Sequence, residues 1–498
     1  MKPLFLGIDV GTSTAKAVLA DVEGDELYTA SQNYGYQAPR PGWAEQSPEA
    51  WWKAVCGAVR DVVGCIEEPS RISGIAVSGQ GVAAVLLGSD GKPLRPAMLW
   101  MDCRASEETL RLNQAAGRFV AIAGKMPGAY NVEPKVMWVR EHEPAVWEKL
   151  WKVTTTTGYI TYRLTGRPVM NHSDAGVLLS YDLHQQDWSQ ELHELMGLSR
   201  DCFFELASST EVVGSLSPAA AGELGLRPGI PVVAGGEDTS AAGLAVGAVE
   251  PGQAFLSLGT ASTLYVSVAG APVNQHLLTF PHVIPGMSLI GGSMISGGGA
   301  FRWLADLVFG QESLTDDSWI ATLSQEAESS PPGAGGLVFL PYLAGELQPV
   351  NDSLARGVLF GLGFGTQRGD LARAVLEGVA FSINHNATII EGLGGAVASL
   401  RAVGGPTRNP LWCQIIADVT GCEVVVYGDR AGAPLGDAAL AAAGVGAVDT
   451  PSRLIERHVG PDRTYQPRDE VHAKYRRLFD IYRELYPRVK DLFPALKD

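Results

Sequence analysis

The sequence predicts an α/β protein of two domains, and three observations carry that expectation. Its 498 residues exceed the roughly 250–300 at which a single hydrophobic core stops growing and a chain divides. Strand, glycine turn, capped helix and strand follow one another from SLRAVGG to CEVVVYG, which is the alternation of an α/β sheet. A polar glycine hairpin opens the chain at LFLGIDVGTSTAKAVLAD and returns as AFLSLGTASTLYVSV at residues 254–268. Gly259-Thr260-Ala261-Ser262 then stands where Gly11-Thr12-Ser13-Thr14 stands in the first copy. Two related hairpins imply two related domains facing one cleft, residues 1–245 and 246–498, parted near the Gly-rich LAVGAVEPGQ with a hinge close to residue 245. The last helix is expected to pack back on the first domain.

Each element has a local reason. Residues 4–10 run apolar up to Asp9 and read as a buried strand, with AKAVLAD as its return partner after a Gly-Thr-Ser turn. GIDVGTSTAK is not a P-loop, because GxxxxGK[ST] opening a helix is missing. ISGIAVSG and VAAVLLGS read as further strands, and the tryptophans at 43, 51, 52, 100, 138, 147 and 151 as core or lid packing. From Pro251 to Phe301 there is no charged residue, yet Gly, Pro, Ser and Asn interrupt the run too often for a membrane helix. That segment is either buried sheet or a loop-rich surface meeting a charged ligand. DLARAVLEGVAFSINHN places Leu371, Ala374, Val375 and Val379 on one helical face, with Asp370 as the expected cap. NPLWCQIIADVTG has Asn409 as cap, Pro410 at the first helical position and Gly421 as stop.

Composition excludes several classes. With 46% apolar and 18% charged residues, against about 25% charged in an average globular chain, the protein folds. Its 59 glycines exceed the usual share of about 7% and call for many turns and close backbone approaches. A net charge of −16 argues against nucleic acid or an anionic membrane as partner, so an anionic ligand must be captured locally by loops. The six cysteines show no CxxC spacing and read as reduced thiols, with no zinc site. The apolar stretch before Asp9 is too short for a signal peptide or a span, and a cytoplasmic enzyme is expected.

Two carboxylates stand out. Asp9 ends a buried strand beside a glycine turn, where a charge is costly unless it holds a cation or accepts backbone hydrogen bonds. It is either a ligand for Mg²⁺ on a nucleotide's phosphates or the cap of the hairpin by an Asx turn. Thr12, Ser13, Thr14 and Lys16 suit a polyphosphate. Asp238 in VVAGGEDTSAAG follows a strand and a Gly-Gly turn at the start of a small-residue helix. It is either a plain N-cap or a base that stays ionised at the helix N-terminus and accepts a hydroxyl proton during phosphoryl transfer, with Glu237 as its competitor. SMISGGGAF and AVGGPTRNPLW are glycine-rich turns that let backbone approach a flat or anionic group, or are ordinary turns.

Taken together these segments resemble the FGGY family of carbohydrate kinases, in its xylulokinase-like branch. The resemblance runs nearly end to end, through GIDVGTSTAK, WAEQSPEAWW, GQGVAAVLL, RPAMLWMDCR, VVAGGEDTSAAG, LSLGTAS, FLPYLAGE, RGVLFGL with LARAVLEGVAFS, and GGPTRNPLW. YNVEPKVMW matches a second family signature more loosely, with Val132 where a small residue is usual. The resemblance implies two actin-like, ribonuclease-H-like ATPase domains, the first for sugar and catalysis and the second for the nucleotide, with ATP and Mg²⁺ as cofactors. It makes Asp238 the catalytic base, with Asp9 and Asp238 at the metal. Gly11, Thr12, Ser13, Thr14, Lys16, Gly259 and Thr260 would cradle the phosphates. Gly298, Gly299, Gly404, Gly405, Pro406 and Asn409 would hold the adenosine, and Gln80, Gly81, Val82, Trp100, Asp102, Arg104 and Thr239 would lie at the sugar.

Departures fall at the acceptor. Xylulokinases commonly carry Met-His where this chain has Gly81-Val82, and Asn where it has Thr239. Two groups that pair hydroxyls are thereby lost from a pocket that selects by such pairing. The expected reaction is ATP-dependent phosphorylation of a sugar or polyol hydroxyl, with D-xylulose going to D-xylulose 5-phosphate. Ribulose, gluconate, a tetritol or another polyol are the alternatives within the family, and an actin-like ATPase acting on a protein partner is the alternative outside it. A homodimer is the usual assembly among similar kinases.

Overall fold

The computed structural model describes residues 2–23, 27–310, 318–428 and 432–496. The chain forms two compact units. One comprises Met1–Val249, Ala269–Leu289 and Arg430–Gly460, and the other Glu250–Val268, Ile290–Asp429 and Pro461–Asp498.

In the first unit, strand Leu4–Val10 pairs antiparallel with Thr14–Asp21 and parallel with Ile72–Gly79. Leu27–Asn33 extends one edge, and Pro231–Val233 followed by Val212–Ser215 the other. The run LFLGIDV is buried along almost its whole length, as expected of a central strand covered on both faces. Helix Pro48–Val63 covers one face with Trp51, Trp52, Val55, Val59 and Val62. Fully burying each Val contributes on the order of 1.5–3 kcal/mol.

The second unit repeats the plan. Strand Gln253–Leu258 pairs antiparallel with Ser262–Ala269 and parallel with Ser399–Val403, which pairs parallel with Glu423–Val426. The hairpin similarity in the sequence is thus a repeat of topology, and the charge-free segment before Phe301 is mostly sheet.

The simple division into 1–245 and 246–498 needs correction, because Ala269–Leu289 and Arg430–Gly460 belong to the first unit. Helix Ala433–Gly444 is the physical reason. It is made of small residues and buried from Ala433 through Ala442, so it can lie directly on the first unit's sheet. A Cβ on Gly7 would stand 1.8 Å from the Pro434 carbonyl oxygen, so only glycine allows that approach. The returning helix is therefore this one; the last long helix, Asp469–Val489, lies in the second unit. There Tyr475 donates to Glu377 at 2.6 Å, inside a buried pair of Arg373 and Glu377.

The helix expected from Asp370 starts earlier, at Arg368, and Gln367 is its cap. Asp370 occupies the third helical position and accepts from the Gln367 backbone N–H at 2.9 Å, forming a reciprocal capping box. Helix Pro410–Thr420 is as expected, with Asn409 capping and Gly421 in the left-handed region at φ 71°. All six cysteines are free thiols. Among the described residues no helix is long and apolar enough to cross a membrane.

Candidate active site

Asp9 sits one residue from the end of its strand, opposite Lys16 on one neighbour and Ser78 on the other. The Ser78 hydroxyl lies 3.3 Å from Asp9 Oδ1 and 2.5 Å from Asp437 Oδ2. Burial, then the charge of Asp238, raises Asp9 to about 7, while Lys16 and Ser78 pull it down. Asp437 is pushed well up by burial and by Asp9. A protonated Asp437 can donate to Ser78, which frees the Ser78 proton for Asp9.

Asp238 is the first residue of helix Asp238–Ala245, not its cap. The cap is Glu237, whose carboxylate accepts from the Ser240 N–H at 2.9 Å. The reading of Asp238 as a plain N-cap is therefore corrected: the backbone turns helical one residue earlier than that reading requires. Its carboxylate is half-buried and receives the Thr239 hydroxyl at 3.0 Å. Glu237 is buried, and burial followed by the Asp238 charge raises its carboxyl well above the ordinary range. A carboxyl held neutral in this way is a poor base.

Two further acids complete the cluster. Asp174, fully buried and bonded by the Thr155 hydroxyl, is raised to about 7 by burial, with Asp238 adding to it. Asp238 thus acts electrostatically on Asp9, Asp174, Glu237 and Asp437. Sequence reasoning missed Asp174 and Asp437. The available signal was a single acid within a run of small uncharged residues, HSDAGVLLS and APLGDAALAAAG.

The turn Gly11–Thr14 closes through Gly11 N–H to the Thr14 carbonyl at 3.0 Å. It is held by Tyr34 N–H on the Ser13 carbonyl at 2.9 Å, Gln46 Nε2 on the Thr12 carbonyl at 2.6 Å and Thr14 Oγ1 on Asn33 at 3.0 Å. Ser13 and Lys16 remain exposed. Trp100, itself 44% exposed, donates its indole N–H to Thr12 Oγ1 at 3.0 Å.

Of the expected acceptor residues, Gly81 faces the carboxylates: a Cβ there would lie 3.4 Å from Glu237 Oε1. Val82 has φ 50°, a left-handed conformation strained for a β-branched side chain. Its carbonyl accepts from the buried Lys135 ammonium at 3.2 Å, which also donates to the carbonyls of Leu99 and Tyr130, each at 2.6 Å. Gln80 is buried, with its amide on Gln46. Asp102 and Arg104 are spent on each other. Asp102 takes Arg104 Nε at 2.9 Å and the Ala44 N–H at 2.7 Å, while Arg104 also pairs with Glu45 and stacks 3.6 Å from the Trp43 ring centroid.

In the second unit the three glycine-rich segments converge. Gly298 N–H donates to the Gly259 carbonyl at 2.7 Å, and Gly299 N–H to the Thr260 carbonyl at 3.0 Å. Pro406 Cγ lies 3.0 Å from where a Cβ of Gly298 would stand. Gly404 has φ 106° and its Cβ would meet the Leu258 carbonyl oxygen at 2.0 Å, so the chain can cross the hairpin base only there. Gly405 follows at the start of the short helix Gly405–Arg408. Asn409 is committed to its helix, accepting from Trp412 N–H at 3.3 Å and donating to Ser324 at 2.9 Å. Among the described residues no group of three or more His, Cys, Asp or Glu side chains is arranged to hold a metal by itself.

Comparison with known proteins agrees with this geometry. The N-terminal domain of the FGGY family of carbohydrate kinases matches residues 4–245 and its C-terminal domain residues 254–445. A xylulose kinase of Escherichia coli strain K12 is 32% identical over 490 residues, covering 96% of this chain and 98% of its own. A gluconokinase of Bacillus subtilis strain 168 is 27% identical, covering 97% and 95%. The crystal structure of xylulose kinase from Rhodospirillum rubrum superposes with a TM-score of 0.92 at 30% identity, covering 98% of this chain and 99% of that one. Two domain matches that together span most of the chain, each containing one of the two hairpins, show that this protein belongs to the FGGY family of carbohydrate kinases.

Proposed function

We propose that the protein transfers the γ-phosphoryl group of ATP to a hydroxyl of a small ketose, with D-xylulose as the acceptor and Asp238 as the base. The observation that carries this reading is the state of the carboxylates. Asp238 is half-buried and not spent on capping, while Glu237, Asp174 and Asp437 are buried and pushed toward their neutral forms. Phosphoryl transfer through a loose transition state asks the protein chiefly for positioning and charge neutralisation. Asp238 needs only to orient the acceptor hydroxyl and take its proton late. In the first unit the Gly11–Thr14 turn and Lys16 offer backbone and charge to phosphates. In the second unit Gly259–Thr260 offer backbone to phosphates, and the Gly298–Gly299 and Gly404–Pro406 segments offer backbone to an adenosine.

A Mg²⁺ ion fits the donor set. Burial, then the charge of Asp238, raises Asp9, which a cation between the two acids would relieve, and Mg²⁺ characteristically takes one or two carboxylates with phosphates and waters. When bound it supplies charge neutralisation on the phosphates. Dependence on ATP supports a cytoplasmic reading.

The identity of the acceptor is supported by the xylulose kinases among the relatives, at 30–32% identity. Gly81, Val82 and Thr239 are where a different acceptor would be read. The test is kcat/KM for D-xylulose, ribulose, gluconate and tetritols in an ADP-coupled assay, with the product located by phosphorus NMR. D-xylulose is expected to rank first; a higher value for gluconate would move the assignment to the acid.

A further inference from the structure

Gln46 does more than support the phosphate turn: its amide joins that turn to the acceptor loop. It is 2% exposed and lies in strand Glu45–Gln46. Four hydrogen bonds fill it: Oε1 accepts from Trp51 Nε1 at 2.8 Å and Gln80 Nε2 at 3.0 Å, while Nε2 donates to the Thr12 carbonyl at 2.6 Å and the Gly35 carbonyl at 3.2 Å.

The chemistry of the partners decides which way both amides face. An indole N–H can only donate, so the Gln46 atom beside Trp51 must be the oxygen. The two backbone carbonyls can only accept, so the other atom must be the NH₂ group. With Gln46 fixed, Gln80 must present its NH₂ group to Gln46 Oε1. The carbonyl oxygen of Gln80 is then left buried with no partner, which is unusual for a polar atom at that depth. Gln80 lies between Ser78, which serves Asp9 and Asp437, and Gly81, which faces Glu237.

We propose that Gln46 is a positioning residue that orients Gln80 so that its carbonyl oxygen receives a hydroxyl of the bound acceptor, and that the same amide holds the Thr12 carbonyl in register with it. This deepens the reading of the first unit as a sugar-kinase acceptor site and rests on it. The ligand class follows from the polarity: the position needs a donor, which a hydroxyl supplies and an ionised carboxylate does not.

The experiment measures kcat/KM for the best acceptor and for each of its monodeoxy analogues, in the full-length wild type and in Gln46→Leu, Gln80→Leu and Gln46→Met. In the wild type one analogue, lacking the hydroxyl that meets Gln80, is expected to lose on the order of 100-fold or more, because a site built to pair a hydroxyl penalises its absence. In Gln80→Leu and Gln46→Leu that discrimination falls below about 10-fold with acceptor KM raised, and in Gln80→Leu the ATP dissociation constant changes by no more than about threefold. A purely structural role would lower active fraction and melting temperature without erasing the preference for one hydroxyl. If Gln46→Leu fails to fold, Gln46→Met serves, since it keeps the length of the side chain but cannot accept from Gln80 and weakens the same discrimination. Undiminished discrimination in folded Gln46→Leu or Gln46→Met overturns the proposal alone. A wild type inactive on every sugar and polyol overturns the functional reading, and the proposal with it.

Discussion

Replacing Asp238 by Asn removes the proposed base while leaving its surroundings nearly intact, and the structure says why. The helix cap comes from Glu237 on the Ser240 N–H, so it survives. The Thr239 hydroxyl, 3.0 Å from Asp238 Oδ1, can donate equally to an asparagine carbonyl oxygen. The charge that raises Asp9, Asp174 and Glu237 disappears, so folded-state stability should hold or rise by on the order of 1 kcal/mol. General-base assistance is typically worth about 10²–10⁴ in rate, which is about 3–5.5 kcal/mol of barrier. Steady-state turnover at saturating ATP and acceptor should therefore fall by at least about 100-fold, with melting temperature and ATP affinity little changed. A variant that keeps more than about a tenth of wild-type turnover would refute the assignment. So would a loss of activity explained by unfolding.

Three further outcomes follow from other parts of the molecule. Asp9→Asn should shift the Mg²⁺ concentration for half-maximal turnover upward by about 10-fold, and an unchanged metal titration would count against Asp9 as the metal-associated acid. Glu346, buried with Oε1 on the N–H groups of Ile295 and Leu347, is raised by burial from 4.5 to about 7. Its folded form holds the proton more tightly than its unfolded form, so its contribution is full below 4.5 and is lost as pH rises to 7. Denaturant unfolding at several pH values should show wild-type stability falling by about 3 kcal/mol relative to Glu346→Gln across that window; parallel pH profiles would contradict it. Gly404→Ala would drive a methyl into the Leu258 carbonyl oxygen at a φ of 106°, and should raise KM for ATP by about 10-fold or more with destabilisation of about 1–3 kcal/mol. A normal KM in that variant would remove the Gly404 turn from the nucleotide site.

Much of the fold was legible because its signals are local. The two glycine hairpins, the strand ISGIAVSG and the helix from Pro410 each carry their own cap, turn or apolar run. What was illegible depended on contacts distant in sequence. Helix Ala433–Gly444 looks like any alanine-rich helix until Gly7 is found beneath Pro434, and nothing near residue 433 announces that it returns to the first unit. Asp174 and Asp437 were invisible for the same reason, since their importance comes from neighbours at 155, 78 and 238. The capping errors were of another kind. Glu237 and Asp238 are both acceptable at a helix start, and only the backbone decides which one stays extended. At the acceptor side, Asp102 and Arg104 came from the family resemblance, and no local signal announces that Asp102 holds both Arg104 and the Ala44 N–H.

The central claim, that this chain moves phosphoryl groups from ATP to a small hydroxylated acceptor, is tested most directly by the rate of ADP formation by the wild type with and without D-xylulose. The account predicts that ADP release is stimulated at least about 100-fold by the acceptor and is matched mole for mole by sugar phosphate. ADP formed at the same rate in both mixtures, with no phosphorylated sugar, would contradict it.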